Sequence, residues 1–353
     1  MAMTNRQRVE ALLRREKPDR VPVWPFAMGF PVLYTKTSIA DAYNKPEVAY
    51  AAQKKTTQDF DWIFIPMMGY AAFGGWEFGG EVKWPSGEFA QAPMVLRHPV
   101  ETVDDVWKLK VPGPDTGIVP LQKEFYKLSS SEQGDNSPFN VVSYAGSNFT
   151  RAGNIAGPEK LAKWLIKQPE AAHHLMRLAT DYILMLAAHW KEVFGIEGVL
   201  PWGAEPTSAN QLISPSKFEE FVFPYIKETN EKVLGMGYKH ILYHICGEHN
   251  ENLPYWQQIP FGDPGMITIG HEITLEKAGQ VFPNDIIMGN LEPAIIQSGT
   301  AEQVYEATKK NIQEGMNKCP GGYIFAPGCE LPPRSSIENI QSMMKAVNDF
   351  GWY

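Results

Sequence analysis

The chain has 353 residues, of which 44% are hydrophobic and 20% are charged, a globular composition that excludes intrinsic disorder. Its net charge of −8 and the lack of a Lys/Arg cluster exclude the basic surface typical of nucleic-acid-binding proteins. No apolar run approaches the ~18 residues of a membrane span, and the N-terminal segment has no secretory-type apolar stretch. Three cysteines are too few for a disulfide framework, so the sequence predicts reduced thiols and a cytoplasmic protein.

Eight short apolar runs recur along the chain and alternate with helical patterns. Several are apolar throughout, which is typical of parallel strands buried on both faces. This alternation predicts an α/β protein built as a single (β/α)8 TIM barrel over residues 1–353, rather than a doubly wound sheet with a second domain. The runs are Val21–Phe26, Trp62–Pro66, Val141–Ala145, Gly198–Trp202, His240–Cys246, Met266–Gly270, Asp285–Gly289 and Gly321–Ala326.

Three predicted helices begin at recognisable caps. Ser214 is followed by proline, which is favoured at the first helical position. Thr300-Ala-Glu-Gln303 is a capping box that opens a helix running to Lys318. Ser335-Ser-Ile-Glu338 predicts the start of the last helix in the same way.

Residues 67–140 interrupt the alternation of strands and helices. They are rich in glycine and proline and are too long for a plain connection, so they predict a hairpin or loop insertion over the barrel mouth. The insertion starts with an aromatic and methionine-rich stretch that includes Met67 and Trp76. These side chains are predicted to line an apolar substrate pocket, although packing of the hairpin on the barrel explains them nearly as well.

A histidine and two cysteines follow two of the predicted strands. His244 and Cys246 are two residues apart at the end of the fifth run, so on an extended chain they point the same way. Cys329 follows the eighth run, and the loops after barrel strands share one face. One imidazole and two thiolates suit Zn²⁺ and leave a fourth position open, as in catalytic sites. The alternative is that both cysteines are small buried hydrophobic residues and that His244 is hydrogen-bonded locally.

Other ionisable side chains follow neighbouring strands. Glu205 comes after the fourth run and His271 after the sixth, and both are candidate catalytic residues. Glu205 is predicted to complete or support the metal shell, with a helix-start carboxylate as the alternative. His249 competes as a ligand but falls beyond the strand, and Cys319, near the end of a helix, is interpreted as structural.

Nearly the whole chain resembles the uroporphyrinogen decarboxylase superfamily. The resemblance is carried by Glu16–Val23, Gly146–Gly157, Ile213–Phe221 and Gly321–Cys329, and it implies a (β/α)8 barrel and compatibility with a homodimer. His244-x-Cys246 with the distant Cys329 is similar to the zinc motif of the methylcobalamin:coenzyme M and chloromethane methyltransferases. The stretch Trp24–Phe30 lacks the arginines with which porphyrin decarboxylases hold their substrate.

The resemblance therefore implies a zinc-dependent methyltransferase that works with a small molecule and a corrinoid-binding partner protein. The chain has no Asp-x-His-x-x-Gly segment, so the partner is expected to supply the cobalamin. Phe30, from the arginine-free stretch, joins Met67 and Trp76 in the predicted pocket, which favours O-demethylation of a methoxylated aromatic. The alternatives are a methylcobalamin:thiol methyltransferase, a metal-free decarboxylase of a small acid, and a barrel that only binds the corrinoid protein.

Overall fold

The computed structural model describes residues 2–69, 72–86, 92–131, 136–144 and 146–353. The strands are β1 Glu81–Lys83, β2 Met94–Arg97, β3 Val141–Tyr144, β4 Val199–Ala204, β5 Leu242–Ile245, β6 Met266–Ile269, β7 Ile286–Leu291 and β8 Tyr323–Pro327. The helices are α1 Asn5–Leu13, α2 Gly29–Tyr34, α3 Ile39–Asn44, α4 Pro46–Asp59, α5 Val103–Val106, α6 Val119–Ser131, α7 Asn148–Ala156, α8 Pro158–Lys167, α9 Pro169–Phe194, α10 Pro215–Phe221, α11 Phe223–Gly235, α12 Leu253–Trp256, α13 Leu275–Val281, α14 Pro293–Ser298, α15 Ala301–Lys318 and α16 Ile337–Phe350. None of these helices has the length and hydropathy needed to cross a bilayer.

Strands β3 to β8 form one parallel sheet in chain order, and helices connect each strand to the next. Every residue of β4 to β8 is buried, which matches the continuous apolar runs of the sequence. Parallel neighbours joined by helices and buried on both faces are the arrangement of a TIM barrel. The predicted fold class is therefore confirmed.

The first two predicted strands, Val21–Phe26 and Trp62–Pro66, are wrong as regular strands. Only Val23 forms a ladder bridge, to Phe325 of β8, and Ile63 donates its backbone N–H to the carbonyl of Val23 at 2.8 Å. The cause is the prolines in these runs, at 22, 25 and 66, which have no N–H to donate to a ladder. The two segments still lie beside β8 and each other, where the missing barrel strands would be.

The predicted helix caps are confirmed with one shift. The Ser214 hydroxyl accepts the Lys217 N–H at the start of α10, and Thr300 forms a capping box with Gln303 at the start of α15, which ends at Lys318 as predicted. The last helix begins one residue later than its motif suggests, because the hydroxyl of Ser336 accepts the N–H of Asn339.

Within residues 67–140 the structure contains the antiparallel pair β1–β2 and the helices α5 and α6. Glu81 pairs with Arg97 across the strands, and their side chains form an ion pair with a nitrogen–oxygen distance of 3.1 Å. Phe73, which precedes the hairpin, packs its ring near the buried Arg151 of α7. This segment therefore contacts the face of the barrel at which the strands end.

Candidate metal centre

His244 lies on β5 and is buried, with 6% of its surface exposed. The register of the sheet places Thr268 of β6 opposite it, and the Thr268 hydroxyl is hydrogen-bonded to His244 Nδ1. The other ring nitrogen, Nε2, is buried and has no hydrogen-bond partner among the described residues. A fixed imidazole with one unpartnered nitrogen is the state of a histidine that is ready to bind a metal.

The two predicted cysteine ligands converge on the same point. Cys246 Sγ and Cys329 Sγ are 3.8 Å apart, and the sulfurs and one His244 nitrogen all lie within 4.8 Å of one another. In a tetrahedral zinc site with Zn–S bonds of about 2.3 Å, two sulfurs are about 3.8 Å apart. The spacing of the sulfurs therefore fits zinc, and these three residues are the ones that could hold it.

The electrostatics of the two thiols also fit a cation. The Cys246 thiol donates a hydrogen bond that stabilises the Cys329 thiolate, which lowers the pKa of Cys329. The same interaction, together with burial, raises the pKa of Cys246 well above its ordinary value. The pair therefore loses one proton easily and holds the other, and a bound cation would release the second proton.

Glu205 directly follows β4 and is fully buried, but its carboxylate is directed to the start of α7. It accepts the backbone N–H groups of Phe149 and Thr150 and the Thr150 hydroxyl, each at 3.2 Å. Burial is the main cause that raises the pKa of Glu205 to about 7, and these hydrogen bonds act against it. Glu205 is not among the three clustered ligands, so its predicted catalytic or supporting role stays a prediction.

The other histidine candidates lie outside the cluster. His249 is fully buried, and its Nδ1 accepts hydrogen bonds from Asn252 Nδ2 at 3.0 Å and Trp256 Nε1 at 3.2 Å, which makes it a structural residue. His271 is largely exposed, with Nδ1 3.6 Å from a Glu272 carboxylate oxygen, and its predicted catalytic role stays a prediction. Cys319 lies 3.8 Å from a backbone carbonyl, remote from the other two thiols.

A cavity of about 210 Å³ opens directly over the cysteines. Its wall is mostly apolar and aromatic, and none of the described residues on it is Lys or Arg. The side chains around it are Phe26, Met28, Tyr43, Phe73, Thr150, Trp202, Ala204, Pro206, His244, Cys246, Cys329 and Glu330.

None of the three predicted pocket residues is on the wall of this cavity. Phe30 is 2% exposed and stacks on Tyr34 within the core, because it is on the inner face of the short helix α2. Met67 is buried, and Trp76 packs edge-on against Trp84 of the insertion. The aromatic wall instead comes from neighbouring positions in the same two segments, Phe26 and Phe73.

Sequence reasoning missed Glu330, Trp202 and Thr150 on the cavity wall. Glu330 directly follows the candidate ligand Cys329 after β8, so the rule that strand ends meet at one face could have found it. One of its carboxylate oxygens accepts the N–H groups of Met28 and Gly29, and burial raises its pKa. Thr150 gives no signal in the sequence, since its position depends on how α7 packs.

The profile of the uroporphyrinogen decarboxylase (URO-D) family matches residues 4–350. The chain belongs to this family. It is 26% identical over 355 residues to the methylcobamide:CoM methyltransferase MtbA of Methanosarcina acetivorans, with 98% of each protein covered. It is 30% identical over 203 residues to a methylated-thiol–coenzyme M methyltransferase of Methanosarcina mazei, with 57% of this chain and 51% of that protein covered.

A uroporphyrinogen decarboxylase of Anaeromyxobacter dehalogenans is also similar, with 23% identity over 367 residues and 97% of this chain covered. Among solved structures, a methyltransferase from Methanosarcina mazei superposes with a TM-score of 0.82 at 20% identity and covers 99% of both chains. That structural likeness supports the TIM barrel fold. The sequence relatives assign the chain to the methyltransferase branch of the family, and the protein is a methyltransferase.

Proposed function

We propose that this protein transfers a methyl group between a small molecule and the cobalt of a partner corrinoid protein, at a zinc ion held by His244, Cys246 and Cys329. The observation that carries the proposal is the 3.8 Å separation of two sulfurs beside an unpartnered imidazole nitrogen, below an apolar cavity. The similarity to a methylcobamide:CoM methyltransferase supports the corrinoid chemistry.

Each residue of the site has a distinct task in this scheme. His244 is oriented by Thr268, and the two thiolates reduce the net charge of the bound ion. When bound, zinc supplies a Lewis acid that stabilises negative charge on an oxygen or sulfur of the small molecule. Phe26, Phe73 and Trp202 exclude water from the reacting atoms and hold the body of that molecule.

We favour a methoxylated aromatic as the methyl donor, because the cavity wall is aromatic and carries no cationic side chain among its described residues. In this reaction the methyl–oxygen bond breaks and the oxygen keeps the electron pair. The methyl carbon bonds to Co(I) of the partner, which is formally oxidised to Co(III), and the released phenolate takes a proton from water. The anionic group of a small anionic thiol would find no Lys or Arg among the described residues of the same wall.

Methylation of a thiol is the second candidate. Both methyltransferase relatives are named for coenzyme M. Two thiolates and one imidazole leave zinc formally neutral, which weakens it as a Lewis acid and suits a thiolate substrate. We further propose that residues 1–353 act as one domain with 67–140 as an insertion, in the cytoplasm and compatible with a homodimer.

Metal analysis followed by a methyl-transfer assay tests the proposal. We expect one zinc per chain in the purified protein, loss of zinc in Cys246→Ser, and retention in Cys319→Ser, whose thiol lies outside the cluster. Cob(I)alamin with aryl methyl ethers should then give methylcobalamin. Methylation of a small thiol by methylcobalamin, with no transfer from any ether, would decide for the second candidate. A protein that binds no zinc at neutral pH would refute the metal site.

A further inference from the structure

Glu330, on the cavity wall, has hydrogen bonds to only one of its two carboxylate oxygens within the described part of the chain. Its Oε1 accepts the backbone N–H of Gly29 at 2.9 Å and that of Met28 at 3.2 Å. These two bonds fix the direction of the side chain across the start of α2. Its Oε2 accepts no hydrogen bond from any residue in the described part of the chain. One oxygen of a half-buried carboxylate therefore remains available to a molecule in the cavity.

The rest of the described wall is apolar at Phe26, Met28 and Phe73, but it also carries the hydroxyl of Tyr43. Burial and the charge of Glu330 raise the pKa of Tyr43, and no hydrogen bond joins its hydroxyl to Glu330 in the described part of the chain. The Thr150 hydroxyl is already shared with Glu205 and Thr207. Since a ligand that fills the cavity removes Oε2 from water, and an acceptor without a hydrogen bond costs free energy, a ligand that donates to Glu330 gains most from binding here.

We propose that Glu330 is a specificity-determining residue that accepts a hydrogen bond from a hydroxyl or amino group of the methyl donor. The proposal rests on the function proposed above and narrows its substrate class to methoxylated aromatics with such a donor group. An aromatic with a carboxylate or sulfonate next to the methoxy group would instead place an acceptor oxygen against the acceptor Oε2, so it is disfavoured. Neutral ethers without a donor group leave Oε2 unpartnered and bind less tightly.

A purely structural role for Glu330, as a cap for α2, makes a different prediction. In Glu330→Gln the amide oxygen must occupy the Oε1 position, because two N–H groups donate to it there. The amide NH₂ then takes the place of Oε2. The cap is kept, while an acceptor facing the cavity is replaced by a hydrogen-bond donor. A structural role leaves the order of ligand affinities unchanged, whereas a selecting role predicts that the preference is lost or reversed.

The test is equilibrium binding, by titration calorimetry, of three matched probes to the zinc-loaded full-length protein. We expect the wild type to bind 2-methoxyphenol about 10–100-fold more tightly than 1,2-dimethoxybenzene, and 2-methoxybenzoate more weakly than either. In Glu330→Gln the first preference should be lost or reversed, with zinc content unchanged. Glu251→Gln, which alters an exposed carboxylate off the cavity wall, should behave as wild type. A parallel titration with 2-methoxyaniline shows whether an amino group serves as well as a hydroxyl.

An unchanged order of affinities in Glu330→Gln overturns the proposal, as does tightest binding of the benzoate or no binding of any probe. Binding and methyl transfer separate this proposal from the function it rests on. If the order inverts but no probe is demethylated, Glu330 selects ligands and the proposed reaction is wrong. If probes are demethylated without any preference, the reaction stands and the role of Glu330 is wrong.

Discussion

The carboxylate of Glu205, at the end of β4, accepts the backbone N–H of Thr150 in the first turn of α7, 3.2 Å away. Ser147, the residue in the N-cap position, makes no side-chain cap, and its hydroxyl instead accepts the N–H of Ala204. Strand and helix therefore exchange hydrogen bonds in both directions. Because Thr150 is on the cavity wall, Glu205 sets the position of that wall from behind it.

Glu205 gives a prediction for pH. Its pKa is about 7 in the folded protein and 4.5 as its ordinary value, so the folded state binds the proton more tightly than the unfolded chain. Its stabilising contribution is complete below pH 4.5 and is lost as the pH rises through about 7. The loss in unfolding free energy is at most about 3 kcal/mol. In Glu205→Gln, which cannot ionise, this component should be absent.

Urea denaturation at pH 5 and pH 8 measures that difference in reduced protein from which metal has been removed by chelation. Glu251→Gln is the control, since that carboxylate is exposed. Equal pH dependence in wild type and Glu205→Gln would show that Glu205 titrates normally.

Thr268 is expected to position His244 for metal binding. In Thr268→Val the ring loses the hydroxyl at Nδ1 and can rotate, so zinc affinity should fall about 10–100-fold, as for other lost supports of a metal ligand. Thr268→Ser should restore most of it. Competition with a chelating dye gives the affinity, and Thr308→Val, at a buried threonine with no hydroxyl partner among the described residues, is the control. Unaltered affinity in Thr268→Val contradicts the prediction.

The two aromatic residues Phe73 and Trp76 distinguish the observed cavity wall from the pocket expected from the sequence. Phe73 is on the wall, and Trp76 packs on Trp84 away from it. Phe73→Ala should weaken binding of 2-methoxyphenol by about 1–3 kcal/mol, through lost apolar contact, while zinc content stays constant. Trp76→Ala should have little effect on that affinity. Weaker binding in Trp76→Ala but not in Phe73→Ala would show that Trp76, and not Phe73, lines the pocket.

Gly315 is inside α15 because a side chain there has no room. A Cβ at this position would lie 2.4 Å from ring atoms of Tyr323, whose hydroxyl is bonded to Asn311 at 2.8 Å. Gly315→Ala should lower the unfolding free energy by about 1–3 kcal/mol. Gly235→Ala, at the end of α11 with no atom within 4 Å, should raise it by up to about 1 kcal/mol. Thermal unfolding of both variants tests the pair, and equal effects would show that Tyr323 can move aside.

The sequence was most informative where one physical rule determined the outcome. The two-residue spacing of His244 and Cys246 places both side chains on one side of an extended chain, and parallel strands end at one face. These rules are independent of loop detail, so they also brought Cys329 to the same point. Helix caps such as Thr300 could be predicted equally well, because their hydrogen-bond donors and acceptors are close in sequence.

The remaining features depend on contacts that no local pattern encodes. Apolar character alone cannot tell whether Phe30 or Phe26 lines the cavity. That depends on how the segment at Phe26 and the helix α2, which carries Phe30, pack against the core. The orientation of Glu330 depends on the N–H of Gly29, which is 301 residues away in sequence. The run at Val21–Phe26 was predicted as a strand from its hydrophobicity, whereas its prolines decide the hydrogen bonding.

The three metal-binding candidates lie at the two ends of an unbroken hydrogen-bonded span, β5–β6–β7–β8. Several aromatic and apolar side chains of the cavity wall, by contrast, come from segments outside that span: Phe26 and the loop after it, helix α3 and the insertion at 67–140. Substitutions in those segments can change which molecule is accepted while the ligand geometry stays fixed. Such a division separates the part of the chain that a lineage can vary from the part that it must keep constant.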